Sequence, residues 1–474
     1  MFVKQLSSIY SRLPTWLQDL AVTAQGAVYY RQRFGGQFRE EYALLKTTEW
    51  ATPLQLELLQ VARLKKMLVH ASHHVPYYQP RIPKCTWEKL RAGDWSSFFD
   101  LPITEKTSLR LDPESFLTQV KSRSKWIEWN TSGTTGSPLN LYYEPSAVSR
   151  QYAYVERYRE EAGVSRFERR AQFTGKLIVP GDYSSRYWRY DWANRALLLS
   201  TVHLTPETIP QYLKALRDFQ PAYLSGYPSA IALLARHALR FPEQSLRIPA
   251  ILTSAETLLP EQRIAMEAAF EAKVYDQYGQ TEMQSFWFEC RYRRMHTHPL
   301  FGVTEIIHPD GSHCRPGETG DVVLTGLINR AMPLIRYRIG DRASWSDEDR
   351  CPCGRSMPIV ERIEGRKEDY LYTSQRGWVG RMDPALKGVN GILECQFIQE
   401  TMHRLRILLV PAADFSAADR ALLAKNVKDR LGASIHLDFE IVAQIPRGPN
   451  GKFRAVISSV PGHFAVQQEM EELA

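Results

Sequence analysis

Leu54, Leu56, Leu58, Leu59, Val61, Leu64, Met67, Leu68 and Ala71 return at helical spacing with polar and charged residues between them. That pattern predicts an amphipathic helix. It should stop at Val75, because the residue before Pro76 is pushed to an extended shape. Residues 1–100 read as mostly helical throughout. An earlier stretch with Ile9, Leu13, Trp16, Leu17, Leu20 and Val22 is also amphipathic. It is expected to pack on the main domain, with peripheral membrane contact as the alternative. Thr104, after Leu101-Pro102-Ile103, stands where it would cap a further helix.

Past Trp126 the pattern changes. Trp126, Ile127 and Trp129 suggest a strand, Leu139–Tyr143 the second arm of a hairpin, and a helix follows from about Ser146 to Glu161. Extended and helical segments then alternate: Ala171–Val179, Ile209–Asp218, Ala222–Leu224, Pro228–Leu239, Ile251–Leu252, the helix Pro260–Phe270 and the strand Lys273–Tyr275. Such alternation predicts an α/β sheet with helices on its faces. From about residue 300 the texture is β, over Val303–Ile307, Gly320–Leu327 and Leu334–Ile339, with a turn-rich interruption from Ser346 to Pro358. Glu394–Glu400, Leu405–Val410, a helix Ala417–Leu431 and His436–Val442 make a compact α+β unit of ordinary domain size. The expected organisation is a large α/β domain over 1–366, carrying a helical extension over about 1–100, and a small domain over 367–474.

The composition, 44% hydrophobic and 24% charged over 474 residues, is that of a globular chain with room for about two or three domains. No apolar run is long enough to cross a bilayer, and no leader with a cleavage site opens the chain. Six cysteines in a chain this long do not suggest a disulfide framework, so reduced thiols and a cytoplasmic location are expected. The net charge of +8 suits an anionic ligand such as a nucleotide, or an acidic membrane surface. Nucleic acid would also fit that charge, but the basic residues are dispersed rather than gathered in an arm, so the charge discriminates weakly.

Between the two hairpin arms lies Thr131-Ser132-Gly133-Thr134-Thr135-Gly136-Ser137-Pro138. A loop of this kind offers backbone N–H groups and hydroxyls to a polyanion. No Gly-Lys-Ser/Thr follows, so it is not a P-loop. Downstream come Ser254-Ala255-Glu256, Tyr278-Gly279-Gln280-Thr281-Glu282, Arg336-Tyr337-Arg338-Ile339-Gly340-Asp341, Gly365-Arg366-Lys367-Glu368-Asp369 and Gly448-Pro449-Asn450-Gly451-Lys452-Phe453-Arg454. Singly, each also reads as surface: Glu256 and Glu282 as solvated caps, Asp341 as a turn residue, Lys452 as an exposed lysine.

Their order is what carries information. From about residue 60 to 458 the chain resembles the adenylate-forming superfamily, and within it the phenylacetate–CoA ligase and CapK-type branch. The branch rests on the Ser-Gly-Thr-Thr-Gly-Ser-Pro loop, Gly226-Tyr227-Pro228-Ser229, Cys351-Pro352-Cys353-Gly354 and the Asn-Gly-Lys-Phe-Arg ending. The resemblance implies a large multi-layered adenylation domain closed by a small mobile C-terminal lid. It implies a carboxylate attacking the α-phosphate of ATP, with Mg²⁺, to give an acyl-adenylate and pyrophosphate; a nucleophile, commonly the thiol of CoA, then displaces AMP.

Residue by residue, the resemblance assigns Thr131, Ser132, Gly133, Thr134, Thr135 and Gly136 to the phosphates. It assigns Lys452 to bridging carboxylate and α-phosphate oxygens, a task suited to a compact mobile point charge. Glu282 would help to hold Mg²⁺, Asp341 the ribose hydroxyls, and Arg366 ribose or phosphate. Tyr278 would lie against adenine, with Ser254, Ala255, Glu256, Gly279 and Thr281 around it. The lid would hinge near Glu368, where many relatives carry aspartate. Tyr152, Gly226 and Tyr227 are the candidates for the acid pocket.

Thiols spaced as Cys351 and Cys353 strain as a disulfide but can grip one metal ion. The resemblance adds Cys290 and His296 to make a structural Zn²⁺ site, with His298 as a rival ligand. It leaves the acid open: an aryl acid, or a sugar, hydroxy or amino acid bound for a capsular glycan, with CoA, an amine or a hydroxyl as acceptor. A zinc-bearing nucleic-acid binder without activity is the remote alternative, and it leaves Glu282, Asp341, Arg366 and Lys452 without a use.

Overall fold

The computed structural model describes residues 10–460 apart from 84–87, 90–91, 121–122, 131–138, 175–177, 180–185, 202, 206, 245, 349, 367–370, 374, 376, 380–381, 387 and 448–452. Helices α1 (Thr15–Phe34), α2 (Phe38–Thr47) and α3 (Pro53–His74) open the chain. α3 starts where the sequence favours a start: Thr52 and Gln55 form a capping box with Pro53 at the first helical position. It ends at Val75, before Pro76. The hairpin β1 (Ile127–Asn130) and β2 (Asn140–Tyr143) pairs Asn130 with Asn140, so residues 131–139 join its two strands.

Among the described residues, twelve strands form one sheet in the order β11-β12-β13-β14-β10-β9-β8-β7-β6-β3-β5-β4. Its first half comprises β3 (Arg170–Thr174), β4 (Trp188–Asp191), β5 (Ala196–Ser200), β6 (Tyr223–Gly226), β7 (Ala250–Ser254) and β8 (Lys273–Gly279). All but the edge strand β4 run parallel. Their apolar runs are buried because helices cover the sheet: α6 (Ile209–Phe219), α7 (Pro228–Arg240) and α8 (Pro260–Phe270) supply one core with β3, β5, β6 and β7. The second half is antiparallel: β9 (Phe286–Glu289), β10 (Met295–Thr297), β11 (Gly302–Ile307), β12 (Thr319–Gly326), β13 (Tyr337–Trp345) and β14 (Ile359–Arg366). A second core joins it to α2, α3 and α5 (Pro145–Glu161).

Helix α4 (Lys106–Leu111) follows Thr104, but Thr104 does not cap it. Its hydroxyl donates to the Ile335 carbonyl at 2.7 Å and its amide to that of Arg336 at 2.8 Å, so Thr104 is spent on a bridge to β13. Helix α1 also departs from expectation. It lies on the large domain, but its fully buried residues are Gln18, Asp19 and Gly26, with Val22, Tyr30 and Phe34 half-buried, while Trp16 and Leu20 face outward. The edge strand β4 explains this. Its Tyr190 amide donates to Asp19 at 2.9 Å, and the buried Arg189 guanidinium donates to Gln18 at 2.7 Å. A helix covering a sheet edge must bring acceptors to it.

The C-terminal lobe holds β15 (Leu371–Thr373), β16 (Gly377–Val379), β17 (Ile392–Thr401), β18 (Arg404–Pro411), α9 (Ala417–Leu431), β19 (His436–Ile441) and β20 (Val456–Ser458). The sheet order is β19-β18-β17-β20, and Leu423, Val427 and Leu431 of α9 pack on it in a core separate from those of the large domain. The lobe seats on α7, where Arg236 donates to the Leu393 carbonyl and Arg240 pairs with Asp414.

Candidate active site

Open α/β sheets bind ligands outside the carboxyl ends of their parallel strands, and here three such ends converge. β6 ends at Gly226, whose φ of +145° and close approach to Phe173 admit no side chain; an added Cβ would stand 2.6 Å from that of Phe173. Beyond β7, Ala255 adopts a left-handed φ of 71°. Such a conformation costs free energy and is found where the surroundings impose it. It leads into Glu256. β8 runs on through Asp276, Gln277 and Tyr278, further than its apolar residues predict, because β7 and β9 pair with both its edges.

These ends open onto a cleft of about 1480 Å³ between the two lobes. Its walls include Lys106, Ala255, Glu256, Asp276, Tyr278, Gly279, Thr281, Glu282, Asp341, Gly365, Glu394 and Phe453. Several predicted residues are thus brought together from distant parts of the chain. The Tyr278 hydroxyl donates to Asp341 at 2.6 Å while its ring stacks on Trp287 at 4.2 Å. Asp341 on β13 pairs in register with Arg366 on β14. Tyr143, at the end of the β1–β2 hairpin, donates its hydroxyl to the Thr281 carbonyl, which fixes that hairpin to the cleft.

Glu282 is buried, and the Lys106 ammonium at the start of α4 lies 4.0 Å from it. A buried carboxylate in the cleft wall offers the oxygen ligand that a hard ion such as Mg²⁺ takes, one or two at a time with waters kept. Ser254 ends β7, paired in register with Gln277 of β8.

Glu256 joins the lobes. One oxygen accepts the Ser229 amide at the start of α7 at 3.2 Å, and the other accepts the Phe453 amide of the C-terminal lobe at 2.7 Å. Burial raises its pKa, opposed by these donors. Tyr227, the residue before α7, is pushed up to about 12 by burial and by the Glu256 charge. On the far side of 448–452, Arg447 pairs with the buried Glu394, and its guanidinium lies 4.8 Å over the Phe453 ring. The residues flanking 448–452 are therefore both anchored in the cleft. Lys452, Glu368, the Arg366 side chain and the loop with Thr131, Ser132, Gly133, Thr134, Thr135 and Gly136 lie outside the described residues.

Tyr152 is not brought to this cleft. Its ring meets Phe34 edge-on at 5.8 Å with Arg33 above it at 4.6 Å, so it fastens α5 to α1. Lys106, Asp276 and the Glu394–Arg447 pair line or support the cleft without having been singled out from the sequence. Asp276 lies two residues before the Tyr278-Gly279-Gln280-Thr281-Glu282 turn and was open to detection; Lys106 sits in no motif. Asp276 is pushed up to about 6, first by burial and then by neighbouring Glu289, against hydrogen bonding from Thr253 at 2.7 Å.

A second cluster lies apart. Cys290, His296, Cys351 and Cys353 are all buried, with their ligand atoms within 4.8 Å of one another. The Cys290 and Cys351 sulfurs are 3.6 Å apart, and the Cys353 sulfur is 3.5 Å from His296 Nε2. Two thiolates on one tetrahedral zinc, each ~2.3 Å from it, stand about 3.8 Å apart, so the spacing fits. His296 Nδ1 donates to the Met357 carbonyl at 3.1 Å, which leaves Nε2 as the ligand nitrogen. His298 is no rival: its ring packs edge-on against Tyr154 at 4.6 Å, and its Nδ1 accepts the Leu300 amide at 3.4 Å.

The likenesses to known proteins agree with this geometry. Residues 371–459 match the family of CapK C-terminal domains. Over 468 residues the chain is 29% identical to Protein CapK of Staphylococcus aureus, spanning 96% of this chain and 100% of that one. It is 25% identical over 442 residues to a phenylacetate-coenzyme A ligase of Thermus thermophilus, spanning 85% and 96%. Among solved structures it superposes on 2-hydroxyisobutyryl-CoA ligase in the postadenylation state with a TM-score of 0.66, at 20% identity and over 90% and 93% of the two chains.

Proposed function

From the premise that this chain is an adenylate-forming enzyme of the CapK and phenylacetate–CoA ligase type, we propose that it activates a carboxylic acid with ATP as an acyl-adenylate and passes the acyl group to an acceptor. The observation that carries the reading is the anchoring of Arg447 and Phe453, either side of Lys452 in sequence, in the cleft that Glu282, Tyr278 and Asp341 also line. Charge builds on phosphate oxygens as the acid attacks, so fixed cations and N–H donors matter more than a base. Lys452 supplies the mobile cation. The loop 131–136 holds the phosphates, and Glu282 would hold Mg²⁺, whose charge offsets that of the phosphate oxygens. Asp341, oriented by Tyr278, takes the ribose, and Arg366 lies beside it in register. Glu368 is the hinge. Tyr227 and Gly226 bound the acid pocket.

CoA is the acceptor suggested by the phenylacetate–CoA ligase likeness. The likeness to CapK covers more of the chain and includes the C-terminal lobe. It favours a second reading, in which an acid of glycan assembly is joined to an amine or hydroxyl without CoA. Pyrophosphate release from ATP and Mg²⁺ over a panel of aryl, hydroxy, amino and uronic acids tests the activation step. Repeating it with and without CoA separates the readings. Release with no acid of the panel above background would count against activation of these acid classes.

A further inference from the structure

Helix α1 fully buries only Gln18, Asp19 and Gly26 against the protein and leaves one apolar arc to solvent. At about 100° per residue, Trp16, Leu20, Ala24, Ala27 and Val28 fall within one arc of about 120°. Trp16 is 61% exposed, Leu20 46% and Val28 54%. The helix cannot roll to bury them. Asp19 accepts the Tyr190 amide of the edge strand, Gln18 accepts from Arg189, and the Gly26 carbonyl accepts from Asn194 at 2.9 Å. Gly26 lies so close to Asp191 that an added Cβ would meet its carboxylate at 2.3 Å. The outward direction of the apolar face is therefore built in. Trp192, 54% exposed, extends the face: its amide donates to Thr23 of α1 at 3.2 Å.

The charges around this face point to its occupant. From residue 10 to 39 the sequence holds one acid, Asp19, which is buried and paired with Arg186. Arg12 and Arg31 are exposed at the two ends of the helix, and Arg195 beyond Trp192 is exposed as well. A second copy docked on this face by two-fold symmetry would bring Arg31 of α1 towards its own image with no exposed acid on α1 to meet it. An anionic bilayer supplies the missing charge, and an apolar helix face rimmed by arginine and tryptophan is the form an interfacial helix takes. We propose that α1 lies in the interface of an anionic membrane, with Trp16, Leu20, Val28 and Trp192 entering the headgroup boundary. β4, which α1 covers, is the edge strand at the end of the sheet remote from β11.

Flotation of the full-length protein with vesicles of phosphatidylcholine alone, or of phosphatidylcholine with phosphatidylglycerol, tests this. Binding is expected with the anionic vesicles only, weakened by salt, and reduced at least about tenfold in Leu20→Glu. Leu20 is outward-facing, so the variant should melt as the wild type does. Light scattering of the free protein should give the same mass for both. No flotation of the wild type, flotation unchanged in Leu20→Glu, or a wild-type dimer that Leu20→Glu splits would overturn the proposal.

Discussion

At Asp276 burial works against charge. The carboxyl is lifted from its ordinary 3.8 to about 6, so the folded chain holds a proton there that the unfolded chain has released. Between those two values stability should fall as pH rises, because the folded state binds more protons than the unfolded one. Asp276→Asn removes this dependence. Urea midpoints at pH 4 and 7 should show the variant gaining on the wild type at the higher pH, and an equal difference at both would refute the shift. The cluster of Cys290, His296, Cys351 and Cys353 is a second residue-scale case. Cys351→Ser should lose bound zinc, measured by atomic absorption, and lower Tm by at least about 5 °C. Wild-type protein free of zinc would contradict the fit. The Cys-Pro-Cys spacing was legible in the sequence. The other two members of the cluster came from the family resemblance, since Cys290 and His296 lie some sixty residues earlier and meet the pair only through the β9–β10–β14 pairing.

Among the elements, helices were the most readable. Pro260–Phe270 and Ala417–Leu431 match the expected bounds because proline or a serine capping box marks the start of each. β9, β10 and β14 were missed: the first two are short, and the third alternates charge with apolar residues. Leu334–Ile339 was expected as a strand, but β13 starts only at Tyr337. Before it, Arg336 takes a left-handed φ of 45° to send its buried guanidinium to Glu305, at 2.8 Å. Periodicity placed α1 on the large domain but did not foresee that Trp16 and Leu20 face outward, since edge-strand partners are invisible to hydrophobic spacing. The β6–α7 junction yields an element-scale prediction. Gly226→Ala sets a Cβ against Phe173 at a strained φ and should destabilise by more than ~2 kcal/mol in thermal unfolding, with a smaller loss refuting the tight junction.

Seen whole, the molecule sets a lobe of residues 371–459 over the carboxyl ends of a parallel sheet, and Glu256 ties the two through Ser229 and Phe453. The two-lobed plan was legible, because apolar alternation changes character past residue 366. Substrate choice was not, because the aromatic residues offered for it serve packing as readily, as Tyr152 does against Phe34. In the proposed reaction Lys452 brings a cation to phosphorus and carboxylate together. Acid-dependent pyrophosphate release in Lys452→Ala, with ATP binding followed in parallel, tests it most directly. Release should be at least about a hundredfold lower, with ATP affinity within a few fold of wild type. Release at the wild-type rate would contradict it.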